Sequence, residues 1–470
     1  MKLINYIVLS AFIVIGFTSC SKYLDKLDNP NLVTDPPLNG LLAQTTYNTG
    51  YNVYRMGYSV SYFVQYQASS AKGSDTEVYN EVDYSTTWTA FYSTMMNIQQ
   101  MLDKAEATGA YHHVGVGKIM LAYNLNMLIT AFGDVPFSEA LKGGELLTPK
   151  FDDQAQLHTT TINLLNEGIT ELQKANPSLL LDPAGDVIHQ GEVDAWIKTA
   201  QALKARFMNQ LTRKASYDPN AVLTQLGNAY SSNSDDAAMT VFRGRSPWNQ
   251  VAYNNTVLLL DGWLNEQFVD ALDGTTFGVE DPRLPLIATL TKFGDYRGTP
   301  SGAGRIGTGT DDEESYLSVD GFYSKGNAPL WLVTYSEMKF IEAEAAFRAG
   351  NKTRAYAAYL AGIEAHMDRM GVAAAAKNAY LSNPVVAVGE DDITLELIAK
   401  EKYVAMFLNP EAWVDARRFD YNYKDFTLPI GASLNTFIRR LAYPTVEFSR
   451  NGANVPNYGG LDQRLAFDQP

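Results

Sequence analysis

The 470-residue chain is short of cysteine, histidine and basic side chains, and each shortage excludes a class of function. One cysteine excludes a disulfide framework and any cysteine-rich metal site. Five histidines leave few ligands for zinc or haem, so we expect no metal centre. The 37 basic and 52 acidic residues give a net charge of −15, and such an acidic chain is poorly suited to the phosphates of nucleic acid. We therefore expect no nucleic-acid partner.

Catalytic motifs are also missing. The sequence contains no G-x-S-x-G nucleophile elbow, no G-x-x-x-x-G-K-[ST] phosphate loop and no H-E-x-x-H zinc motif. The acidic run 311–314 could hold Ca²⁺ through oxygen ligands, but it lacks the spacing of an EF-hand, so no cofactor is predicted. An enzyme would need a carboxylate pair that no motif marks. The sequence therefore favours a binding protein over an enzyme.

The N-terminus has the pattern of a bacterial export signal. Lys2 supplies positive charge, and residues 6–17 form an apolar stretch of 12, shorter than the roughly 20 that span a bilayer. Cys20 follows small residues as in a lipobox, although Phe17 replaces the usual aliphatic residue. We predict a signal peptide at 1–19, a lipid anchor on Cys20 and a polar tether over 20–37. An ordinary secretory signal with a spare thiol is the alternative.

Helical periodicity dominates after Leu38. Helices are predicted through 91–102 and over 116–132, 155–174, 194–213, 220–230, 334–349, 353–370 and 393–408. No segment after the signal is expected to be apolar for long enough to cross a membrane. Residues 231–260 and 281–330 are rich in Gly, Ser, Asn, Asp and aromatic residues, which predicts long irregular loops. Since no clear linker interrupts the chain, we predict one all-α domain over 38–470 with a loop-rich ligand-binding portion.

One predicted helix pair has the spacing of a tetratricopeptide-like (TPR-like) hairpin. Ala343, Ala355, Tyr359 and Gly362 form a pattern of small and aromatic residues around a turn at Gly350 and Asn351. Small residues let two helices approach closely while the aromatic ring fills the space behind them. A generic helical hairpin remains the alternative, because the expected large apolar residue near the start is Lys339.

Aromatic residues in polar loops are the best ligand candidates, because sugar rings stack on aromatic faces while amide and charged groups bind hydroxyls. Trp248 and Tyr253, flanked by Arg245 and Asn249, are the first choices. Further candidates share an aromatic ring in a polar loop: Tyr79, Tyr84, Tyr296 and Tyr323. Packing within the loop is the alternative for each of them.

Two arginine pairs could hold an anionic ligand or pair inside the domain. They are Arg417, Arg418, Arg439 and Arg440. Internal pairing with Asp415, Glu411 or Glu401 is favoured, because an unpaired buried charge is costly. Glu337, Glu342 and Glu344 are likewise interpreted as solvated or ion-paired glutamates, and not as a catalytic pair.

Eight segments, together with Glu447 and Asn451, carry a family resemblance: 20–25, 129–140, 151–152, 191–196, 202–206, 334–345, 411–418 and 439–444. Their order and content resemble the SusD/RagB family of nutrient-binding outer-membrane lipoproteins, in its SusD-like, starch-binding-associated branch. The resemblance implies an all-α fold with four TPR-like helix pairs and a location in the Bacteroidetes outer membrane, lipid-anchored and exposed at the cell surface. It also implies capture of oligosaccharides for a partner SusC-like TonB-dependent transporter, over which the protein sits as a lid.

Two alternatives to glycan capture remain open on the sequence. The same architecture could bind oligopeptides, with Arg245 or Arg297 on a terminal carboxylate. Helix-hairpin scaffolds also bind protein segments in concave grooves, so the chain could act chiefly as a structural lid for the transporter.

Overall fold

The computed structural model describes residues 35–258, 261–307 and 312–469. The predicted signal peptide, Cys20 and most of the predicted tether lie outside the described residues, as does Asp311 of the acidic run. The first described residue, Asp35, is paired with Lys104 at 2.6 Å and leads into the first helix.

Helices form most of the regular structure in the described part of the chain. They are α1 (Leu38–Val60), α2 (Ser85–Thr108), α3 (Tyr111–Phe132), α4 (Gln154–Leu172), α5 (Val193–Asn209), α6 (Pro219–Leu226), α7 (Pro247–Leu258), α8 (Glu266–Asp270), α9 (Tyr335–Arg348), α10 (Lys352–Met370), α11 (Ala374–Leu381), α12 (Leu395–Ala405), α13 (Glu411–Arg418) and α14 (Thr445–Asn451). The strands are β1 (Gln67–Ala68), β2 (Ala237–Met239), β3 (Trp263–Leu264) and β4 (Leu330–Val333). They pair antiparallel as β1 with β3, where Gln67 faces Leu264, and as β2 with β4. The prediction of an all-α fold is confirmed.

Short polar side chains set several helix starts, as they do at N-caps generally. The Asp153 carboxylate accepts from the backbone N–H groups of Ala155 and Gln156 at the start of α4. The Thr334 hydroxyl accepts from the N–H of Glu337 at the start of α9, and Thr394 caps α12 in the same way. These caps lie within two residues of the predicted boundaries, because the sequence signal for a cap is local.

Consecutive helices pack in pairs, namely α1 on α2, α3 on α4, α5 on α6 and α9 on α10. In the last pair, Ala343, Ala355 and Tyr359 are buried between the helices. A Cβ atom on Gly362 would lie 2.9 Å from Cζ of Phe340, so only glycine allows this approach. The structure thus confirms the TPR-like hairpin predicted from the spacing.

Buried ion pairs join the helix pairs to one another. The Arg206 guanidinium on α5 donates to both carboxylate oxygens of Glu337 on α9, at 2.6 and 2.5 Å. Arg418 bridges Glu344 at 2.9 Å and Asp415 at 2.5 Å. Internal pairing, as predicted for Arg418, therefore satisfies these charges in the interior, where an unpaired charge would be costly.

The other predicted arginines find different partners from those expected. Arg439 pairs with Asp468 at 3.1 Å and also with Asp420. Arg417 donates to the carbonyl oxygens of Trp413, Thr130 and Arg439. Arg440 donates to the carbonyl oxygen of Phe132.

The prediction that Glu401 and Glu411 pair with these arginines is therefore wrong. Glu401 pairs with Arg283 at 2.5 Å, and Glu411 accepts from the side chain of Gln210. Sequence proximity suggested the partners, whereas the fold brings distant segments to each charge.

Helix α7 corrects the prediction that 231–260 is irregular throughout. Trp248, Val251, Ala252 and Asn255 are buried at spacings of three and four, which makes one inward face of the helix. Pro247 occupies the first helical position, where a missing N–H costs nothing. The polar, aromatic composition of the segment concealed this pattern.

Helix α3 corrects a second expectation, since it is 22 residues long with a mean hydropathy of 1.2 over its most apolar stretch. Length and composition alone would let it cross a membrane, but 94% of that stretch is buried inside the protein. The helix is apolar all round because neighbours cover it on every side.

Candidate functional site

A row of tyrosines follows one side of α1 and the turn after it. Its members, which we call the tyrosine ladder, are Tyr47, Tyr51, Tyr54, Tyr58 and Tyr62. Spacings of four, three, four and four residues place the helical members on one stripe. All five side chains are partly exposed, although most other large aromatic residues of the described chain are packed in the core.

Adjacent rings of the ladder contact each other. Tyr47 and Tyr51 are stacked, with centroids 6.0 Å apart and planes at 20°. Tyr51 meets Tyr54 edge to face at 5.5 Å, and Tyr58 meets Tyr62 edge to face at 6.1 Å. These contacts fix the orientation of the rings, so the partly exposed tyrosines form an ordered row.

Trp248 supports the ladder from behind. Its ring meets Tyr54 edge to face at 4.9 Å and lies 6.1 Å from Tyr58. Tyr58 donates its hydroxyl proton to Asp261 at 3.1 Å. Burial, with a further contribution from Asp261, raises the pKa of Tyr58 to about 12, so the hydroxyl stays a donor at neutral pH.

Three arginines lie over tyrosine rings, two of them over rings of the ladder and the third over Tyr253, and we call them the arginine rim. Arg55 lies over the ring of Tyr51 at 4.5 Å, and Arg243 lies over Tyr47 at 5.6 Å. Arg245 lies over the ring of Tyr253 at 4.1 Å. The surface therefore combines stacking platforms with hydrogen-bond donors, the two features that sugar recognition requires.

The first-choice residues from the sequence divide into surface and support. Tyr253 is 42% exposed, and Arg245 is exposed beside it. Trp248 is buried behind the ladder. Asn249 is buried too, and its amide donates to the carbonyl oxygens of Val319 and Ser324 at 3.1 and 2.7 Å. Tyr253 and Arg245 stay ligand candidates, whereas Trp248 and Asn249 position other groups.

Three further candidates are internal, which corrects their assignment to the ligand surface. Tyr79 is 1% exposed, Tyr84 is 9% exposed and Tyr323 is 4% exposed. The Tyr323 hydroxyl is hydrogen-bonded to Nε2 of His366 at 2.8 Å. Neighbouring side chains cover the faces of these rings, so a sugar cannot stack on them in this conformation.

Tyr296 keeps a partly exposed side chain in a different segment. Beside it in sequence, the Arg297 guanidinium lies over the exposed ring of Phe293 at 4.4 Å and is bonded to Asp295 at 2.7 Å. This is a second aromatic patch, smaller than the ladder. Tyr296 stays a candidate there.

The ladder itself was missed by the sequence reasoning. Its signals were an excess of tyrosine, 28 in the chain, and the helical spacing of five tyrosines between positions 47 and 62. The predicted ligand residues were placed in loops, whereas these tyrosines lie on a helix and the turn after it.

The structure gives little support to a cation in the acidic run. Glu314 is buried, and its Oε1 atom accepts from the backbone N–H groups of Ile306 and Gly307. Across the described ranges, no three His, Cys, Asp or Glu side chains are grouped so that they could hold a metal ion.

Comparison with known proteins places the chain near one family. Residues 30–444 match the model of a SusD-like family described as starch-binding and associating with the outer membrane. Among solved structures, a SusD/RagB family protein from Bacteroides thetaiotaomicron is similar at 21% identity, with a TM-score of 0.76 over 92% of this chain and 99% of that one.

Two further structures have the same fold. A SusD homologue from Bacteroides fragilis is 22% identical, with a TM-score of 0.75 over 93% of this chain and 100% of that one. A chitin-binding SusD homologue from Flavobacterium johnsoniae is 17% identical, with a TM-score of 0.76 over 91% of this chain and 98% of that one. No match is found among curated protein sequences.

Proposed function

Because the chain belongs to the SusD-like family, whose members are binding proteins and not enzymes, we propose that it captures oligosaccharides on the tyrosine ladder. The family description names starch, and one structural relative binds chitin. Both ligands are polymers of pyranose rings, so each presents repeated faces to a row of aromatic side chains.

The ladder is the single observation that carries this proposal. Five partly exposed tyrosines in contact with one another lie in a row along one helix and the turn after it. Fixed rings bind with little loss of side-chain entropy, because they are already ordered. The tyrosine hydroxyl groups and the arginine rim add donors for sugar hydroxyls.

Replacing Tyr51 tests the ladder, and the chain offers a matched control. Tyr51 stacks on Tyr47 at 20°, and Tyr356 on α10 stacks in the same way on Tyr359 at 24°; both are half-buried. We expect Tyr51→Ala to weaken binding of a glycan about tenfold by calorimetry, and Tyr356→Ala to leave it unchanged. Equal affinities in the two variants would contradict the site.

The oligopeptide alternative has less support at this surface. Arg297 is already bonded to Asp295, so only Arg245 of the two proposed carboxylate partners is open. Calorimetry with mixed oligopeptides alongside the glycans distinguishes the two ligands. Tight peptide binding without glycan binding would replace the proposal.

We also propose that the protein is anchored in the outer membrane through Cys20 and serves a SusC-like TonB-dependent transporter as its lid. The proposal rests on the lipobox pattern and on the family, whose description includes outer-membrane association. Co-purification of the tagged, lipidated protein in mild detergent should recover a TonB-dependent barrel in about equal amount. Recovery of the protein alone would leave a free-standing binder, and a Cys20→Ala variant still found in the membrane would exclude the anchor.

A further inference from the structure

The arginine rim lacks the carboxylate partners that Arg206, Arg283 and Arg418 have. Arg417 and Arg440 also lack a carboxylate, but they donate to backbone carbonyl oxygens, which the rim arginines do not do in the described chain. Within the described ranges, no carboxylate oxygen lies within 4.0 Å of the guanidinium groups of Arg55, Arg243 or Arg245; their contacts are tyrosine rings and, for Arg55, the amide oxygen of Asn52 at 2.9 Å. This is unusual in a chain with 52 acidic and 37 basic residues. Three cations have been placed together on a surface without compensating charge.

Arg55 provides an independent sign that an anion is missing. Its side chain is only partly exposed, and burial lowers the pKa of its guanidinium. A partly buried cation normally has an acidic partner, because desolvation is otherwise uncompensated. Here the guanidinium is half-buried at the ladder, and one neutral amide is its hydrogen-bond acceptor among the described residues.

The stacking geometry leaves the arginines ready to bind. A guanidinium lying on an aromatic ring uses its face for the contact, and its N–H groups point outward in its own plane. These donors match the two oxygens of a carboxylate or a sulfate in a bidentate arrangement. The guanidinium Cζ atoms of the rim arginines lie 4.1–5.6 Å from tyrosine ring centroids and have no carboxylate partner in the described chain, so their donors are available to an anion.

Charge is distributed unevenly along the ladder. Arg55 and Arg243 stand at the end formed by Tyr47 and Tyr51. At the other end, Tyr58 is bonded to Asp261, whose carboxylate is half-buried and has its pKa raised by burial. An anionic group is favoured at the Tyr47 end and disfavoured beside Asp261.

We propose that the ladder binds an anionic oligosaccharide, one that carries carboxylate or sulfate groups, in preference to a neutral one of the same backbone. This rests on the proposed function, since the rings hold the sugars and the arginine rim selects for charge. Uronic acids and sulfate esters both present the required oxygens, and the experiment separates them.

Matched ligand pairs test the selectivity. One pair is an oligogalacturonide and its methyl ester, in which a methyl group replaces the charge of each carboxylate; the other is a sulfated galactan oligosaccharide and its desulfated form. We expect the charged member of at least one pair to bind about tenfold or more tightly by calorimetry, with a preference that weakens as salt rises. The pair that shows the preference identifies the anion.

Arginine variants link the preference to the rim. We compare the affinity for the charged ligand with the affinity for its neutral partner. We expect Arg55→Gln, Arg243→Gln and Arg245→Gln each to reduce this ratio severalfold, and the triple variant to bring it to about one. Arg450→Gln is the control, because it removes the same charge from an exposed position on α14. Single variants keep the test usable if the triple variant does not fold.

The outcomes separate this inference from the proposed function. If neutral and charged members bind equally, with binding that depends on Tyr51, the glycan site stands and the charge selectivity is wrong. If no glycan of either kind binds, both are wrong. If acidic peptides bind at the rim while glycans do not, the anion preference belongs to a different ligand and both statements fail.

Discussion

Arginines of the helix-pair scaffold and arginines of the tyrosine ladder have opposite surroundings. Arg206 and Arg283 are buried and paired with carboxylates at 2.5–2.6 Å. Arg243 and Arg245 are exposed, lie on tyrosine rings and have no carboxylate within 4.0 Å in the described chain. The same side chain therefore joins helices in one region and remains open to a ligand in the other.

The difference teaches that the family motifs and the proposed ligand residues occupy different parts of this chain. Arg206, Glu337 and Arg418 belong to the segments that carry the family resemblance, and all three are buried. Arg243, Arg245 and the ladder lie outside those segments. Family membership therefore fixes the scaffold, while the ligand depends on residues that the motifs do not include.

Removing a scaffold arginine should have the largest effect on stability. Arg283→Gln leaves Asp281 and Glu401 as buried carboxylates without their shared cation, so we expect a loss of about 3–5 kcal/mol in the free energy of unfolding. Denaturant unfolding measures it, with Arg245→Gln as the control. A loss below about 1 kcal/mol would remove the distinction between the two regions.

Acid should weaken the scaffold through the same cluster. Burial alone would raise the pKa of Glu401, but Lys400 and Arg283 overcome it and lower the pKa to about 2. The lowered pKa stabilises the fold above about pH 4.5, and that contribution, about 3 kcal/mol, is lost as the pH falls toward 2. Unfolding at pH 5 and pH 3 should show a smaller pH dependence in Glu401→Gln; an unchanged dependence would assign the acid sensitivity to other groups.

Replacing a buried arginine by lysine should have an intermediate effect on the free energy of unfolding. Arg418 donates to Glu344 through both Nη1 and Nη2, and Nη2 also donates to Asp415; a lysine has a single charged nitrogen that cannot reproduce this fork. We expect Arg418→Lys to lower the free energy of unfolding by about 1–3 kcal/mol. Thermal or denaturant unfolding measures it, and wild-type stability would mean that charge alone suffices there.

The smallest effect on the free energy of unfolding is expected for a substitution in the arginine rim. Arg243→Gln removes an exposed cation without an ion pair, so the free energy of unfolding should change by less than about 0.5 kcal/mol. The same unfolding measurement checks it. A loss comparable to that of Arg418→Lys would show that the contact with Tyr47 is structural, and would weaken the case for a ligand.

Local signals in the sequence predicted much of the scaffold. The spacing of Ala343, Ala355, Tyr359 and Gly362 indicated a close helix pair. Asp415 was also named as a possible ion-pair partner of Arg418. Such patterns succeed because helix periodicity and close packing depend on residues near one another in sequence.

The candidate site was less predictable, because exposure depends on tertiary packing. Tyr79 and Tyr323 occur in polar loops, as ligand residues often do, yet distant segments cover them. Tyr47 and Tyr51 occur on a helix, where half-buried rings are usually part of the core, yet one side of them stays open. No local pattern distinguishes these cases.

The position of the ladder on the first helix gives the binding surface a direction. At 1.5 Å per residue, Tyr47 lies about 14 Å and Tyr58 about 30 Å along α1 from Leu38, where the predicted tether ends. The two ends of a bound sugar chain are therefore not equivalent. In the proposed complex, one end of the sugar chain lies beside Arg243 and the other end lies beside Asp261.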